Sequence, residues 1–298
     1  KTAATTVEQL NREGYKCGVL NVRLFRPFPG KELIEALPKT VKKIAVLDRI
    51  KEPGSAGEPL YIDVATACSQ ALNDGRLRAD RYPTVVGGRF ALGGKEFTPA
   101  MVKGVFDMLS TPKPKNGFTV GIVDDVTHTS ISYDPSYRLK TEAYSALFYG
   151  LGSDGTIGAN KNTIKIIAES TPNFAQGYFV FDSKKAGSMT VSHLRFGKEE
   201  IEAPYLIEEA DFIACHHTPF IDRYHLLEKI KEGGIFLFNT PVPVEEVFSS
   251  LPRVAQEALI EKKVRFYVID AYKVGAESGM GRRINSIMQA CFFAVSGV

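Results

Sequence analysis

Apolar positions in the first part of the chain switch repeatedly between the spacing of helices and that of strands. Val7 and Leu10 lie one helical turn apart, and Gly14 follows them as a helix-end signal. Runs of β-branched and aliphatic residues predict buried strands. The predicted strands are 17–25, 42–50 and 83–90, and the predicted helices are 5–13, 33–37, 54–72 and a helix capped by Thr98 that runs to 109.

The second part of the chain, from Glu142 onward, alternates in the same way. A strand, a glycine-rich loop and a helix are predicted over 143–170. Further strands are predicted at 174–183, 188–197, 211–217 and 235–240, and further helices at 224–234, 252–263 and 284–298, with the segment 265–275 between the last two helices. Alternation of this kind predicts an α/β protein with two domains, each a largely parallel sheet flanked by helices.

A Pro- and Lys-rich stretch, STPKPKNGF at 110–118, has the composition of an interdomain connection. We therefore predict a first domain at 1–116, a linker or extended segment at 117–141 and a second domain at 142–298. The chain opens on a helix, so the first domain is expected to lack its first strand.

Composition narrows the class of protein. The chain of 298 residues has 44% hydrophobic and 24% charged residues and a net charge of +3, so bulk nucleic-acid binding is not indicated. No apolar run reaches the roughly 18 residues that span a bilayer, and no secretory signal is recognisable, which predicts a cytoplasmic protein. The four cysteines form no CxxC pair, the usual spacing at iron–sulfur or structural zinc sites. Three of them are expected to be buried. Cys215 is the exception to consider as a ligand, because two histidines follow it, although a buried cysteine at a strand end is expected there too.

The glycine loop at 150–158 is the sharpest local motif. Gly150, Gly152 and Gly155 have the GxGxxG spacing between a predicted strand and a predicted helix, where backbone N–H groups can bind a phosphate. Tight strand-to-helix turns also require glycine, so phosphate binding and a purely structural turn both remain open. The acidic ribose ligand of NAD-binding proteins is not recognisable, which argues against a dehydrogenase.

Other polar clusters are weaker candidates. Lys184 and Lys185 follow a predicted strand and could neutralise a phosphate, or could form a solvated loop. His193 and Arg195 alternate on one strand and are expected to pack structurally. Asp124–Thr129 contains two carboxylates and a histidine, but without a distant third ligand it is interpreted as a hydrogen-bonded extended segment. No GxSxG elbow or GxxxxGK[ST] loop is present.

Several long strings resemble the pyruvate:ferredoxin (flavodoxin) oxidoreductase family. The string RLFRPFPGKELIEALPKTVKKIAVLDRI and the string GGRFALGGKEFTPAMVKGVFD resemble its transketolase C-terminal-like domain. The strings FYGLGSDGTIGANKNTIKII, ADFIACH and GMGRRINSIMQACFFAVSGV resemble the gamma-type domain, a three-layer α/β unit, which follows it. The resemblance covers essentially the whole chain, in the family's order, and implies a central fragment whose gamma-type domain is truncated at its C-terminus.

The resemblance implies a parent enzyme that converts pyruvate and coenzyme A into acetyl-CoA and carbon dioxide. That enzyme uses thiamine diphosphate, Mg and [4Fe-4S] clusters held elsewhere in the polypeptide. It acts as a homodimer and passes electrons to ferredoxin or flavodoxin. The fragment alone is expected to be inactive, with the remaining domains as its partners, no nucleic acid and no membrane.

Within the fragment, coenzyme A is the one ligand that the resemblance suggests, and the alternative is an interface module without ligand contacts. No catalytic or metal residue is assigned. The candidate coenzyme A contacts are Gly152, Ser153, Asp154, Gly155, Thr156, Asn160, Lys161, Lys184 and Lys185.

Overall fold

The computed structural model describes residues 1–124, 126–181 and 188–298. They form two compact units, Lys1–Lys140 and Thr141–Val298. The contacts of residues 117–140 therefore place them with the first unit, and the three-part division stays a prediction. No helix of the described chain combines the length and apolarity that crossing a bilayer requires.

The first unit is a parallel three-stranded sheet with helices on both faces. Its strands lie in the order β1-β2-β3 and run parallel throughout. Its helices are α1 (Thr2–Arg12), α2 (Gly30–Ala36), α3 (Pro59–Asn73) and α4 (Pro99–Ser110), and its strands are β1 (Lys43–Asp48), β2 (Thr84–Phe90) and β3 (Phe118–Val120).

Two polar caps set where helices of this unit begin. The Thr98 hydroxyl accepts a hydrogen bond from the backbone N–H of Met101 at 3.3 Å, which confirms the predicted cap of α4. The buried carboxylate of Asp48, at the end of β1, accepts bonds from the backbone N–H groups of Leu60 and Tyr61 at 3.1 Å each. It thereby satisfies first-turn donors of α3 that have no partner inside the helix.

The predicted strand at 17–25 is wrong as it stands. These residues form neither a helix nor a strand, and they pair with no strand of the described chain. Val19, Leu20, Leu24 and Phe25 are 42–53% exposed. Apolar β-branched sequence favours extended backbone, but only a neighbouring strand makes it part of a sheet.

The second unit is a mixed six-stranded sheet between helix layers, so the predicted α/β class and the three-layer arrangement are confirmed. The strands lie in the order β5-β6-β4-β7-β8-β9, with β6 antiparallel to both of its neighbours and the others parallel. The strands are β4 (Tyr144–Leu151), β5 (Phe174–Phe181), β6 (Met189–Gly197), β7 (Ala210–Cys215), β8 (Ile230–Asn239) and β9 (Arg265–Ile269). The helices are α5 (Thr156–Ser170), α6 (Phe220–Arg223), α7 (Val244–Ser250), α8 (Arg253–Glu261), α9 (Ala271–Glu277) and α10 (Ile284–Ser296).

Side chains that alternate along the central strands belong to two hydrophobic cores, one on each face of the sheet. Leu147 and Phe236 pack on one face with residues of α7 and α8. Phe148 and Phe212 pack on the other face around Phe292 of α10, with ring centroids 5.2 and 5.0 Å from it. A parallel strand covered on both faces needs apolar residues at every position, which explains the continuous apolar runs in β4, β7 and β8.

The helix predicted at 224–234 is wrong. Leu226–Lys229 form only a short 3-10 turn, and β8 begins at Ile230, which pairs with Ala210 of β7. Leu226, Leu227 and Ile230 are all buried in the core beside α8. Their spacing suits a helix, but the strand pairing with β7 decides the conformation.

Candidate functional site at the carboxyl ends of the second sheet

The four parallel strands β4, β7, β8 and β9 end at one edge of the second sheet. From β4 the chain passes through α5 to β5 and β6 on one side, whereas β7 leads to β8 on the other side. Connections that diverge in this way leave a crevice outside the strand ends, where ligands of open α/β sheets bind. The glycine loop follows β4 and His216 follows β7, so both lie at this crevice.

Close approach explains two of the glycines in the loop. A Cβ atom on Gly150 would overlap the Thr156 hydroxyl and would lie 2.8 Å from a carboxylate oxygen of Asp154. Gly155 has φ +83°, and a Cβ there would come within 2.8 Å of the Asn285 side chain. Both positions therefore need glycine for packing and conformation, whether or not a ligand binds.

Asp154 stabilises the glycine loop by hydrogen bonds within it. Its two carboxylate oxygens accept hydrogen bonds from the backbone N–H groups of Leu151 and Thr156, at 2.8 Å each. The carboxylate thus sits at the positive N-terminal end of α5, where a negative charge is stabilised. Asp154 contributes to loop structure and also adds negative charge next to the proposed phosphate site.

A buried hydrogen bond ties the start of α5 to the end of β7. The Thr156 hydroxyl lies 2.8 Å from Nδ1 of His216, and both side chains are almost fully buried. Burial lowers the pKa of His216 to about 4, with Asp154 acting weakly in the opposite direction. The imidazole is therefore neutral at physiological pH.

The polar network continues across the strand ends to the beginning of α9. Asn239, at the end of β8, donates from its side chain to the His216 carbonyl at 2.9 Å and accepts from the backbone N–H of Ala271 at 2.9 Å. The Thr218 hydroxyl donates to the Asn239 carbonyl at 2.9 Å. The network therefore links the glycine loop to the beginning of α9 through side chains that are fixed by the fold.

Backbone atoms of the loop and the first turn of α5 face solvent. Gly152, Ser153, Gly155, Gly158 and Lys161 are exposed. Among the described residues, the backbone N–H groups of Ile157 and Gly158 have no hydrogen-bond partner. A Cβ on Gly158 would meet nothing within 4 Å, so this donor-rich surface is open.

The predicted contact residues divide into exposed and buried groups. Thr156 and Asn160 are 0% and 3% exposed, and the Asn160 side-chain nitrogen has no partner in the described structure. The exposed Lys161 ammonium lies 5.7 Å from the centroid of the Phe179 ring. Lys184 and Lys185 lie outside the described residues.

Sequence reasoning missed several residues that shape the loop. Asn285 of α10 packs against Gly155, and the Gln289 side chain donates to the Ala159 carbonyl at 3.0 Å and the Thr163 hydroxyl at 2.8 Å. No local pattern signals these contacts, because α10 is over 110 residues away from the loop in sequence. His216 was noted only as the neighbour of Cys215, whose pKa burial raises to about 12.

The remaining candidates have structural environments. Nδ1 of His193 accepts from the backbone N–H of Ile207 at 3.0 Å, and burial lowers the pKa of His193 to about 3. Arg195 donates to the Ala203 carbonyl at 3.1 Å, and its guanidinium lies 4.8 Å from the centroid of the Tyr205 ring.

The segment around Asp124 is a hydrogen-bonded loop. The Asp124 carboxylate accepts from the backbone N–H groups of Val126, Thr127 and Thr129 at 2.9–3.2 Å. Hydrogen bonds from the hydroxyls of Thr127 and Thr129, followed by those from their backbone N–H groups, hold the pKa of Asp124 far below the usual range. Within the described ranges, no three His, Cys, Asp or Glu side chains come together as a metal site would require.

Comparison with known proteins gives matches along most of the chain. Residues 145–298 match the family described as pyruvate ferredoxin/flavodoxin oxidoreductase, and residues 1–102 match pyruvate:ferredoxin oxidoreductase core domain II. The pyruvate-flavodoxin oxidoreductases of Trichormus variabilis and Rhodospirillum rubrum are each 54% identical to this chain over 299 residues. Each alignment covers 100% of this chain and 25% of the relative.

The similarity to solved structures is more distant. A pyruvate oxidoreductase subunit of Thermotoga maritima is 16% identical, with a TM-score of 0.41, over 53% of this chain and 78% of the subunit. The sequence matches are the decisive ones, since they extend over the whole chain, which spans about a quarter of the length of the relatives. The chain belongs to the pyruvate ferredoxin/flavodoxin oxidoreductase family.

Proposed function

We propose that this chain is part of an enzyme that oxidises pyruvate in the presence of coenzyme A to acetyl-CoA and carbon dioxide. The two electrons pass to ferredoxin or flavodoxin. The observation that carries the proposal is 54% identity over the full chain to relatives named pyruvate-flavodoxin oxidoreductase. We assign the thiamine diphosphate, Mg and iron–sulfur sites to the rest of the longer protein, which we propose to be a cytoplasmic homodimer.

Within that enzyme, we assign part of the coenzyme A-binding face to the second unit. Coenzyme A carries a pyrophosphate and a 3′-phosphate, which suit backbone N–H donors at a helix N-terminus and a nearby lysine. The free N–H groups of Ile157 and Gly158, the exposed Ser153 and the exposed Lys161 supply such a surface at the crevice beside β4 and β7. The proposal extends to Lys184 and Lys185.

The residues of this loop differ in burial, and we therefore propose different roles for them. Thr156 and Asn160 offer almost no exposed side-chain surface to a ligand, so we assign them to holding the loop in place. Asp154 likewise stabilises the turn through two backbone hydrogen bonds. Direct contact is left to backbone atoms, Ser153 and the lysines.

A second candidate role is a packing surface without ligand contacts. The inward-turned carboxylate of Asp154 favours it, because this negative charge already lies at the positive end of α5 and would repel a phosphate. The two roles differ in what a charge change near the loop should do.

The test compares Lys161→Gln with Lys165→Gln in the full-length enzyme. Both lysines are exposed on α5, but Lys165 lies one turn farther from the loop, and its ammonium lies 3.8 Å from the Glu169 carboxylate. Loss of one charge-assisted contact, about 1.4 kcal/mol, should raise the KM for coenzyme A roughly tenfold for Lys161→Gln. The KM for pyruvate should stay unchanged in both variants. The KM for coenzyme A should stay unchanged in Lys165→Gln.

Steady-state kinetics with a reducible acceptor give both Michaelis constants in one set of assays. Equal coenzyme A constants for the two variants and the wild type would favour the packing role. Charge reversal at Lys184 and Lys185 provides a second arm, which should raise the coenzyme A requirement without changing the pyruvate-dependent half-reaction.

A further inference from the structure

A groove of about 300 Å³ lies between α2 and α3 in the first unit. One wall is the first turn of α2, and the other is one side of α3, on which the lining residues recur every three or four positions. The volume is at the lower end of the range of small-molecule pockets, about 300–1,000 Å³. Besides two small residues, the groove is lined by Phe28, Lys31, Asp63, Thr66, Gln70 and Arg76.

Several polar groups at the groove are not used by the fold. Within the described chain, the side chains of Thr66 and Gln70 are exposed and form no hydrogen bond. The Lys31 ammonium lies 3.9 Å from the Glu35 carboxylate, and the two side chains are 70% and 64% exposed, so this ion pair is weak. The groove therefore offers one cation and two neutral side chains that are able to donate hydrogen bonds to a ligand.

The backbone at the end of α3 fixes the position of Arg76. Gly75, which precedes it, has φ +74°, and the backbone N–H of Leu77, which follows it, donates to the Ala71 carbonyl at 2.8 Å. The Leu77 side chain packs against the core formed with α3. One guanidinium nitrogen of Arg76 donates to Asp74 at 2.8 Å. A guanidinium has five N–H donors, so further donors are available to a ligand.

Positive charge is concentrated in the part of the chain that forms the groove. Residues 1–140 contain 21 Lys and Arg against 15 Asp and Glu, a net charge of +6, whereas residues 141–298 contain 16 against 19, a net charge of −3. The segments that follow α2 and α3, 37–42 and 74–83, carry five exposed Lys or Arg and only two Asp. The carboxylate of Asp63, which lines the groove, is paired with Arg26. The surroundings of the groove therefore favour an anionic ligand.

Part of the groove is apolar. Phe28 is half-buried and packs against the core formed with α3. Ala67 is 5% exposed, and a Cβ atom on Gly30 would lie 3.3 Å from the Cβ of Ala67, so the two helices approach closely here. An apolar surface with a few convergent polar groups is the usual pattern of a small-molecule site. The combination suits a ligand with an apolar body and an anionic group.

We propose that the groove between α2 and α3 binds a small molecule that carries a phosphate ester on an apolar body. The phosphate contacts the Arg76 guanidinium, whose planar fork matches phosphate oxygens, and the Lys31 ammonium. The apolar body lies against Phe28, and Thr66 and Gln70 form hydrogen bonds with its polar substituents. The site belongs to the first unit alone, so the proposal does not depend on coenzyme A binding by the second unit.

Saturation-transfer NMR of the full-length enzyme, with phenyl phosphate as the probe, tests the site. Thiamine diphosphate, Mg²⁺ and coenzyme A are present at saturation, so that the phosphate sites proposed for them are filled. We expect saturable binding, with a dissociation constant that rises roughly tenfold in Arg76→Gln, because one charge-assisted contact is lost. Arg78→Gln is the matched control and should bind the probe like the wild type. Arg78 lies in the same loop and pairs with Asp80 at 3.0 Å, but it does not line the groove.

A second pair of variants tests the groove by steric exclusion. Thr66→Phe places a ring in the groove and should abolish binding of the probe, whereas Ser69→Phe, on α3 but outside the groove, should leave binding unchanged. Both positions are exposed, so we expect both variants to fold. Absence of saturable binding, or equal dissociation constants in the wild type, Arg76→Gln and Thr66→Phe, would overturn the proposal. An equal rise in Arg78→Gln would trace the effect to the general charge of this surface and would also overturn it.

Discussion

The hydrogen bond between Thr156 and His216 allows a quantitative test of how the glycine loop is held. We consider Thr156→Val, His216→Leu and the double variant. The two side chains are 0% and 3% exposed, and their polar atoms lie 2.8 Å apart. Replacing either partner alone leaves the other buried without this bond, whereas replacing both removes the unsatisfied pair.

The expected magnitudes follow from burial. Each single substitution should lower the free energy of unfolding of the second unit by about 1–3 kcal/mol, the cost of a buried polar group that loses its partner. The double variant should be more stable than the sum of the single losses predicts, by about 1 kcal/mol or more. Thr156→Ser keeps the hydroxyl and should lose only the contribution of a methyl group, about 1 kcal/mol.

Urea unfolding of the purified chain, followed by far-ultraviolet circular dichroism, is a suitable assay, because the chain has no tryptophan for fluorescence. The two compact units are expected to contribute separable transitions, and only that of the second unit should shift. If the loss of unfolding free energy in the double variant equals the sum of the two single losses within about 0.5 kcal/mol, the coupling is refuted. A Thr156→Ser variant as unstable as Thr156→Val would show that the methyl group matters rather than the hydrogen bond.

Two further predictions concern pH and packing. His193 and His216 are neutral in the folded protein, with pKa values lowered to about 3 and about 4, so the unfolded chain binds more protons below its histidine pKa of about 6.5. Stability of the second unit should therefore fall as the pH is lowered from about 6.5 to about 4; urea midpoints that stay constant or rise on acidification would contradict this. Gly88→Ala would place a methyl group inside the Phe118 ring and should destabilise the first unit by about 1–3 kcal/mol, whereas Gly18→Ala, with nothing within 4 Å, should be neutral in the same unfolding assay.

Local patterns predicted the elements whose conformation depends on neighbours in sequence. The apolar run of β4, the glycines after it and the helix α5 were predicted in the right order. The Thr98 cap of α4 was also predicted, since a hydroxyl three residues before the N–H that it binds is a local arrangement. The α/β class follows from the same alternation of strand and helix periods.

Partner strands decided the elements that sequence reasoning assigned wrongly. Residues 17–25 have strand-like sequence, but no described strand pairs with them. Residues 224–234 have helix-compatible spacing, but pairing of Ile230 with Ala210 makes residues 230–234 part of β8. In both cases the deciding interaction is with backbone that is distant in sequence, so no local pattern could reveal it.

The candidate site shows the same division. The sequence determined that a glycine loop joins β4 to α5, because turn geometry and helix spacing are local properties. Only the tertiary structure decided which side chains of that loop face solvent: Thr156 turns inward to His216, and Asn160 is buried, while Lys161 remains exposed. The physical reason is that burial is set by the elements packed against α5; among them, α10 comes from a position over 100 residues away in the chain.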